Sequence, residues 1–117
     1  MKFSKSHEWI EVNGNTAKIG LSDHAQKELG DIVYVNLPEI GAELKCGEAF
    51  TDVESVKAVS DVMSPCCGKV IAVNEALDND PAEINNDPYG AWIVEVEVTK
   101  LADDLMDEAA YQEFIKE

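Results

Sequence analysis

Chemistry in this chain can come from few places: one lysine set between short extended segments, scattered carboxylates, two histidines and three cysteines. Lys57 lies in Asp52-Val53-Glu54-Ser55-Val56-Lys57-Ala58-Val59-Ser60-Asp61-Val62, with Asp-Val at both ends. Gly47 and Gly68 lie ten residues before and eleven after it, so turns at both ends leave two arms of similar length meeting at the lysine. That spacing presents a primary amine at a hairpin tip, open to a modifying enzyme, with Glu54 and Asp61 as docking charges. The plainer alternative is a solvated surface lysine, which describes most lysines. His7 and His24 accompany no G-x-S-x-G, Walker or G-x-G-x-x-G segment, so nucleophilic and nucleotide chemistries lack their parts. Cys46, Cys66 and Cys67 match no zinc-ligand spacing, and no metal site is expected. They read as reduced cysteines packed as small hydrophobes, and Cys66 lies too far along an extended chain for a group on Lys57 to reach.

The elements that must hold Lys57 are short. His7 to Leu21 reads as a hairpin turning at Asn13-Gly14. Ser22 caps a helix through Leu29 that Gly30 stops, and Asp31 to Leu37 is a strand ended by Pro38. Glu48 to Val73 reads as successive strands. Asp78-Asn79-Asp80-Pro81 and Asn85-Asn86-Asp87-Pro88 are turn clusters with a helical turn between them. Ala91 to Val98 is a strand with Trp92, Val94, Val96 and Val98 on one face, and Ala110, Tyr111, Phe114 and Ile115 form one face of a terminal helix. The expected fold is mainly β, one domain over residues 1–117, as a flattened barrel or barrel-sandwich hybrid with short helices, one of them C-terminal.

Composition removes several classes of function. The 117 residues carry 24 acidic side chains against 9 lysines and no arginine, a net charge of −15 that repels phosphate backbones and anionic lipid headgroups. Neither nucleic acid nor membrane is expected as a partner. The odd cysteine count with an adjacent pair, and a start that lacks the pattern of a targeting peptide, suggest a bacterial-type cytoplasmic protein.

The run from Glu54 to Val62, with Ser64-Pro65 and Gly68, resembles the lipoyl-lysine segment of the H proteins of the glycine cleavage system. Ser6-His7-Glu8-Trp9, Gly20 through His24-Ala25, Leu29 to Val35 with Leu37-Pro38, Val73 to Leu77 and Asn86 to Gly90 resemble the same family in order, so the likeness spans almost the whole chain. Biotin carriers set their lysine between methionines, and lipoyl domains of 2-oxo-acid dehydrogenases usually place an acid before it. Val56 and Ala58 stand there instead.

The resemblance implies a carrier rather than an enzyme, with lipoate joined covalently to Lys57 and with Glu54 and Ser55 recognised by the lipoate-attaching enzyme. It implies three further partners: a pyridoxal-phosphate glycine decarboxylase (P protein), a tetrahydrofolate-dependent aminomethyltransferase (T protein) and dihydrolipoamide dehydrogenase (L protein). The arm would ferry an aminomethyl group from the first to the second and be reoxidised by the third. Ser6, Glu8 and Asp61 match the family's positions for a cleft that shields this group. A related role, relaying lipoyl groups or serving a specialised partner, shares the modified lysine. The chain departs from the family at Gly90-Ala91-Trp92, where a residue and a glycine are commonly added, and at Cys66-Cys67.

Overall fold

The computed structural model describes residues 1–116. Two antiparallel sheets carry the architecture. The larger contains β1 (Lys2–Phe3), β2 (Glu8–Asn13), β3 (Thr16–Leu21), β5 (Glu43–Leu44), β8 (Cys66–Val73) and β9 (Val94–Leu101), in the order β1-β2-β3-β9-β8-β5. The smaller contains β4 (Ile32–Val35), β6 (Ala49–Ser55) and β7 (Val59–Met63), in the order β4-β6-β7. Four short helices join them: α1 (Asp23–Leu29), α2 (Ala76–Asn79), α3 (Glu83–Asn86) and α4 (Glu108–Phe114). The mainly-β reading with a C-terminal helix holds. The sheets do not close into a barrel: the larger ends at β1 and β5, and the smaller at β4 and β7.

Local chemistry accounts for most boundaries. The β2–β3 ladder runs out to Asn13↔Thr16, so the two-residue loop is Gly14-Asn15, one position later than expected. Gly14 has φ 69°, the left-handed value that a type II′ turn needs at its first central position. Ser22 caps α1 by accepting from the Ala25 N–H at 3.1 Å, and Gly30, at φ 78°, returns its N–H to the Gln26 carbonyl at 2.9 Å. Asp107 caps α4 in the same way through the Ala110 N–H at 2.8 Å.

Other expectations are corrected. The final long strand begins at Val94 rather than Ala91 and continues to Leu101; Ala91 and Ile93 are both buried before it starts, so the two-residue alternation begins only with the ladder. The segments read as turn clusters contribute residues to helices, Asp78 and Asn79 to α2 and Asn85 and Asn86 to α3. In α4 only Tyr111 is fully buried, Ile115 beyond it is half-buried, and Ala110 and Phe114 are exposed. A helix of two turns laid on a sheet edge buries one line of side chains, not a broad face. β1 and β5, two residues each, are too short to leave a periodic signature.

The main core lies between the sheets, where Ile10, Ile19, Val35, Val53, Val62, Val70, Ile84, Val94 and Val96 are buried. A second cluster joins Phe3, Trp9 and Tyr111, with the Phe3 and Tyr111 rings stacked at 4.4 Å. Phe3 and Met106 exchange both backbone hydrogen bonds at 2.8 Å, which fixes the chain leading into α4 against β1.

Candidate functional site

Lys57 occupies the tip of the β6–β7 hairpin. The ladder Asp52↔Asp61, Val53↔Ser60, Glu54↔Val59 carries both arms to it, and Val56, Lys57, Ala58 and Val59 are exposed. Ser55 builds the turn. Its N–H donates to the Ala58 carbonyl at 2.8 Å, its hydroxyl donates to the same carbonyl at 3.1 Å, and that hydroxyl accepts from the N–H groups of Lys57 and Ala58, each at 3.2 Å. A serine with this local bonding satisfies the N–H groups of Lys57 and Ala58 within the turn itself. Glu54, half-exposed, sits on the arm one residue earlier.

The tip is anchored to the end of α1. The Val56 N–H donates to the Asp31 carbonyl at 3.0 Å, and Lys57 Nζ donates to the Glu28 carbonyl at 3.3 Å. An ammonium suits the negative end of a helix, where terminal carbonyls lack intrahelical partners. Asn85 in α3 holds this corner: its amide donates to the Gly30 carbonyl at 2.9 Å and to Gln26 at 3.0 Å, while its oxygen accepts from the Ile32 N–H at 2.9 Å.

A second constellation forms around Glu8. Its carboxylate is buried, with Oε1 accepting from Ser4 at 2.6 Å and from Ser6 at 2.5 Å, and Oε2 accepting from the Met63 N–H at 3.0 Å. Burial pushes the carboxyl above its usual range, while these hydrogen bonds pull in the opposite direction. The Met63 contact links β2 to the end of β7 that lies away from Lys57. Asp61 is two residues before Met63, exposed, and paired in the ladder with Asp52.

The expected site residues therefore fall into two groups. Ser6 and Glu8 are in contact, and Glu8 is not the solvated surface carboxylate that its charge alone suggests. Asp61 is on the same strand as the Met63 donor but does not bond to Glu8. Two contributors carried no clear signal in the sequence. Ser4 is recognisable only once a turn brings it back over Glu8, and the Met63 donor is a backbone group that any residue type could supply. His7, between Ser6 and Glu8, adopts φ 76°, a left-handed conformation uncommon for a non-glycine residue. Its ring lies 2.9 Å from the Tyr111 hydroxyl through Nδ1 and 4.6 Å, centroid to centroid, from His24. Burial and the adjacent His24 lower the His7 pKa.

Among the described residues no group of three or more His, Cys, Asp or Glu side chains is placed to hold a metal ion, and no helix is long and apolar enough to cross a membrane. The Gly90-Ala91-Trp92 segment buries Ala91 and leaves Trp92 half-buried beneath Lys18 Nζ, 5.1 Å from the ring centroid.

The model of a family described as glycine cleavage H-protein matches residues 1–117. The chain belongs to this family. The glycine cleavage system H protein of Thermotoga maritima is 48% identical over 116 residues, covering 97% of this chain and 94% of that one. A probable glycine cleavage system H protein of Pyrococcus abyssi is 52% identical over 118 residues, covering 97% and 88%. A crystal structure of a glycine cleavage system H protein from Mycobacterium marinum superposes with a TM-score of 0.90 at 36% identity, covering 96% of this chain and 93% of that chain. Membership in the H-protein family thus rests on sequence and on fold alike, each across nearly the full length.

Proposed function

We propose that Lys57 carries lipoate in amide linkage and that the protein is the mobile carrier of the glycine cleavage reactions, not a catalyst. The observation that carries this reading is the exposed amine at the apex of a hairpin whose turn is internally hydrogen-bonded, in a chain of the H-protein family. When attached, lipoate supplies a dithiolane that accepts an aminomethyl group from a glycine decarboxylase, yields it to an aminomethyltransferase and is reoxidised by dihydrolipoamide dehydrogenase.

The protein's own residues do the rest. Ser55 holds the tip in shape for the lipoate-attaching enzyme, and Glu54 offers that enzyme a carboxylate beside the lysine. Acylation removes the ammonium charge, taking the net charge from −15 to −16 and weakening the ion–dipole contact with the end of α1. The arm is then freer to swing away from the end of α1. Ser6, Glu8 and Asp61 offer a hydroxyl and two carboxylates to a cationic amine, and the buried position of Glu8 makes its charge felt more strongly than in open solvent. Shielding there keeps water from the amine-bearing end between partners.

Intact-mass measurement of protein made in a lipoate-competent cell tests the attachment. A lipoyl-sized increment in the wild type and none in Lys57→Ala is expected; an increment that persists in the variant rejects Lys57. Glu8→Ala is expected to hasten loss of a loaded aminomethyl group, and an unchanged decay rate removes Glu8 from the shield.

A further inference from the structure

The three cysteines divide in a way that their reading as packed hydrophobes did not anticipate. Cys66 is buried in the main core. Cys46 and Cys67 are both partly exposed, and their Sγ atoms lie 2.8 Å apart, closer than unbonded sulfurs ordinarily rest. The β5–β8 ladder pairs Glu43↔Lys69 and Leu44↔Gly68 and ends there; the chain leaving β5 then brings Cys46 against Cys67, one residue off the Cys46↔Cys66 pairing that an unbroken register would give. The Cys46 N–H also donates to Cys67 Sγ at 3.2 Å.

The two thiols are chemically unequal. Hydrogen bonds from Cys46 and the nearby Lys100 ammonium lower the Cys67 thiol pKa, while burial and the adjoining Cys67 push Cys46 up to about 11. One member is thus disposed to attack, and the other to remain protonated until it resolves the product. Neither residue belongs to the Lys57 tip or the Glu8 constellation.

We infer that Cys46 and Cys67 are a redox-active dithiol that closes reversibly into an intramolecular disulfide by exchange with a small-molecule disulfide. Cys67 Sγ, as thiolate, attacks one sulfur of the oxidant; that S–S bond breaks and one small thiolate departs. Cys46 Sγ then gives up its proton and attacks Cys67 Sγ, which expels the second small thiolate. Two electrons pass from the cysteine sulfurs to the oxidant, and the two thiol protons end on the two small thiols.

Closure ties the turn after β5 to β8. That turn is already bonded to the segment leading out of β7: the Gly47 N–H donates to the Ser64 carbonyl at 2.8 Å, and the Ser64 N–H donates to the Glu48 carbonyl at 2.9 Å. Ser64 adjoins Met63, the backbone donor to Glu8. A few backbone bonds thus join the segment that carries Cys46 to Met63, the donor to Glu8.

The full-length protein is incubated with oxidised glutathione, alkylated while folded, and mapped by peptide fragmentation. The expected product has lost two hydrogens, contains a Cys46–Cys67 link, and regains both thiols with dithiothreitol; Cys66 is alkylated only after unfolding. In Cys46→Ser the reaction should stop at a stable glutathione adduct on Cys67, and in Cys67→Ser the remaining surface thiol should react about tenfold more slowly or less. Lys57→Ala, treated identically, separates the cysteine sulfurs from any sulfur on the arm and should still form the link. Retention of all free thiols, a wild-type product that stops at the glutathione adduct, or a link through Cys66 or between two chains overturns the inference. The wild-type map decides it even where a serine variant fails to fold.

Discussion

Glu8 is the residue whose environment departs furthest from what its type suggests. A carboxyl at 1% exposure with three hydrogen-bond donors has a raised pKa because desolvation outweighs those bonds. The folded state therefore keeps the Glu8 proton at pH values where the unfolded chain has released it. Its contribution to stability is greatest below the ordinary carboxylate range, falls as pH rises through the raised folded value, and is level above it. Glu8→Gln removes that dependence while the amide still offers an oxygen to the Met63 N–H and an N–H to the serine hydroxyls. Denaturant unfolding across this window should show the variant gaining on the wild type as pH rises; a constant difference would mean that Glu8 titrates normally. At the same scale, Gly20 faces Trp9 across the ladder, and a Cβ there would stand 2.7 Å from the indole ring. Gly20→Ala should cost about 1–3 kcal/mol in urea unfolding, the usual range for overpacking a filled site, with a loss of Trp9 fluorescence order.

At the scale of elements, the lysine hairpin depends on a corner it does not belong to. Asn85 accepts from the Ile32 N–H at the head of β4 and donates to the end of α1, against which Val56 and Lys57 rest. Asn85→Ala leaves the Ile32 donor and the Gly30 carbonyl without these partners and should cost about 1–3 kcal/mol, with faster amide exchange from residues 30 to 32 than elsewhere. Unchanged stability and exchange would show that water replaces the side chain without loss. This corner also marks where the sequence stops being legible. The Asn-Gly hairpin signal, the Ser22 cap, the Gly30 stop and the lysine between two arms are local chemistry, and a sequence displays them directly. Asn85 reads as a turn former because its three partners lie more than fifty positions away along the chain. Separation along the chain likewise hid the approach of Met63 to Glu8, fifty-five positions apart, and that of Cys46 to Cys67, twenty-one apart. Tertiary contacts convert ordinary polar residues into clamps, and no periodicity announces them.

At the scale of the molecule, charge works against compaction. With 24 acids against 9 lysines in the chain and principal extents of 35 × 34 × 21 Å, acidic side chains outnumber basic ones by more than two to one, and the net interaction among the charges is repulsive. At about 0.01 M salt the screening length of about 30 Å nearly spans the fold, so repulsion sums over all of it; at about 0.15 M, near 8 Å, only adjacent charges interact. The unfolded chain separates the same charges further and is less affected. Thermal unfolding should therefore shift upward between these two salt concentrations, and by more than it does on a further rise to 1 M, where little repulsion remains to be screened. Sodium chloride suits the comparison because sulfate would add a surface-exclusion effect of its own. Acylation of Lys57 removes one of only nine positive charges, so the modified protein should show a slightly larger shift than Lys57-unmodified material. A melting temperature indifferent to salt over the first step would mean that the ion pairs Lys27–Asp23 and Lys116–Glu113, which salt weakens, balance the global repulsion.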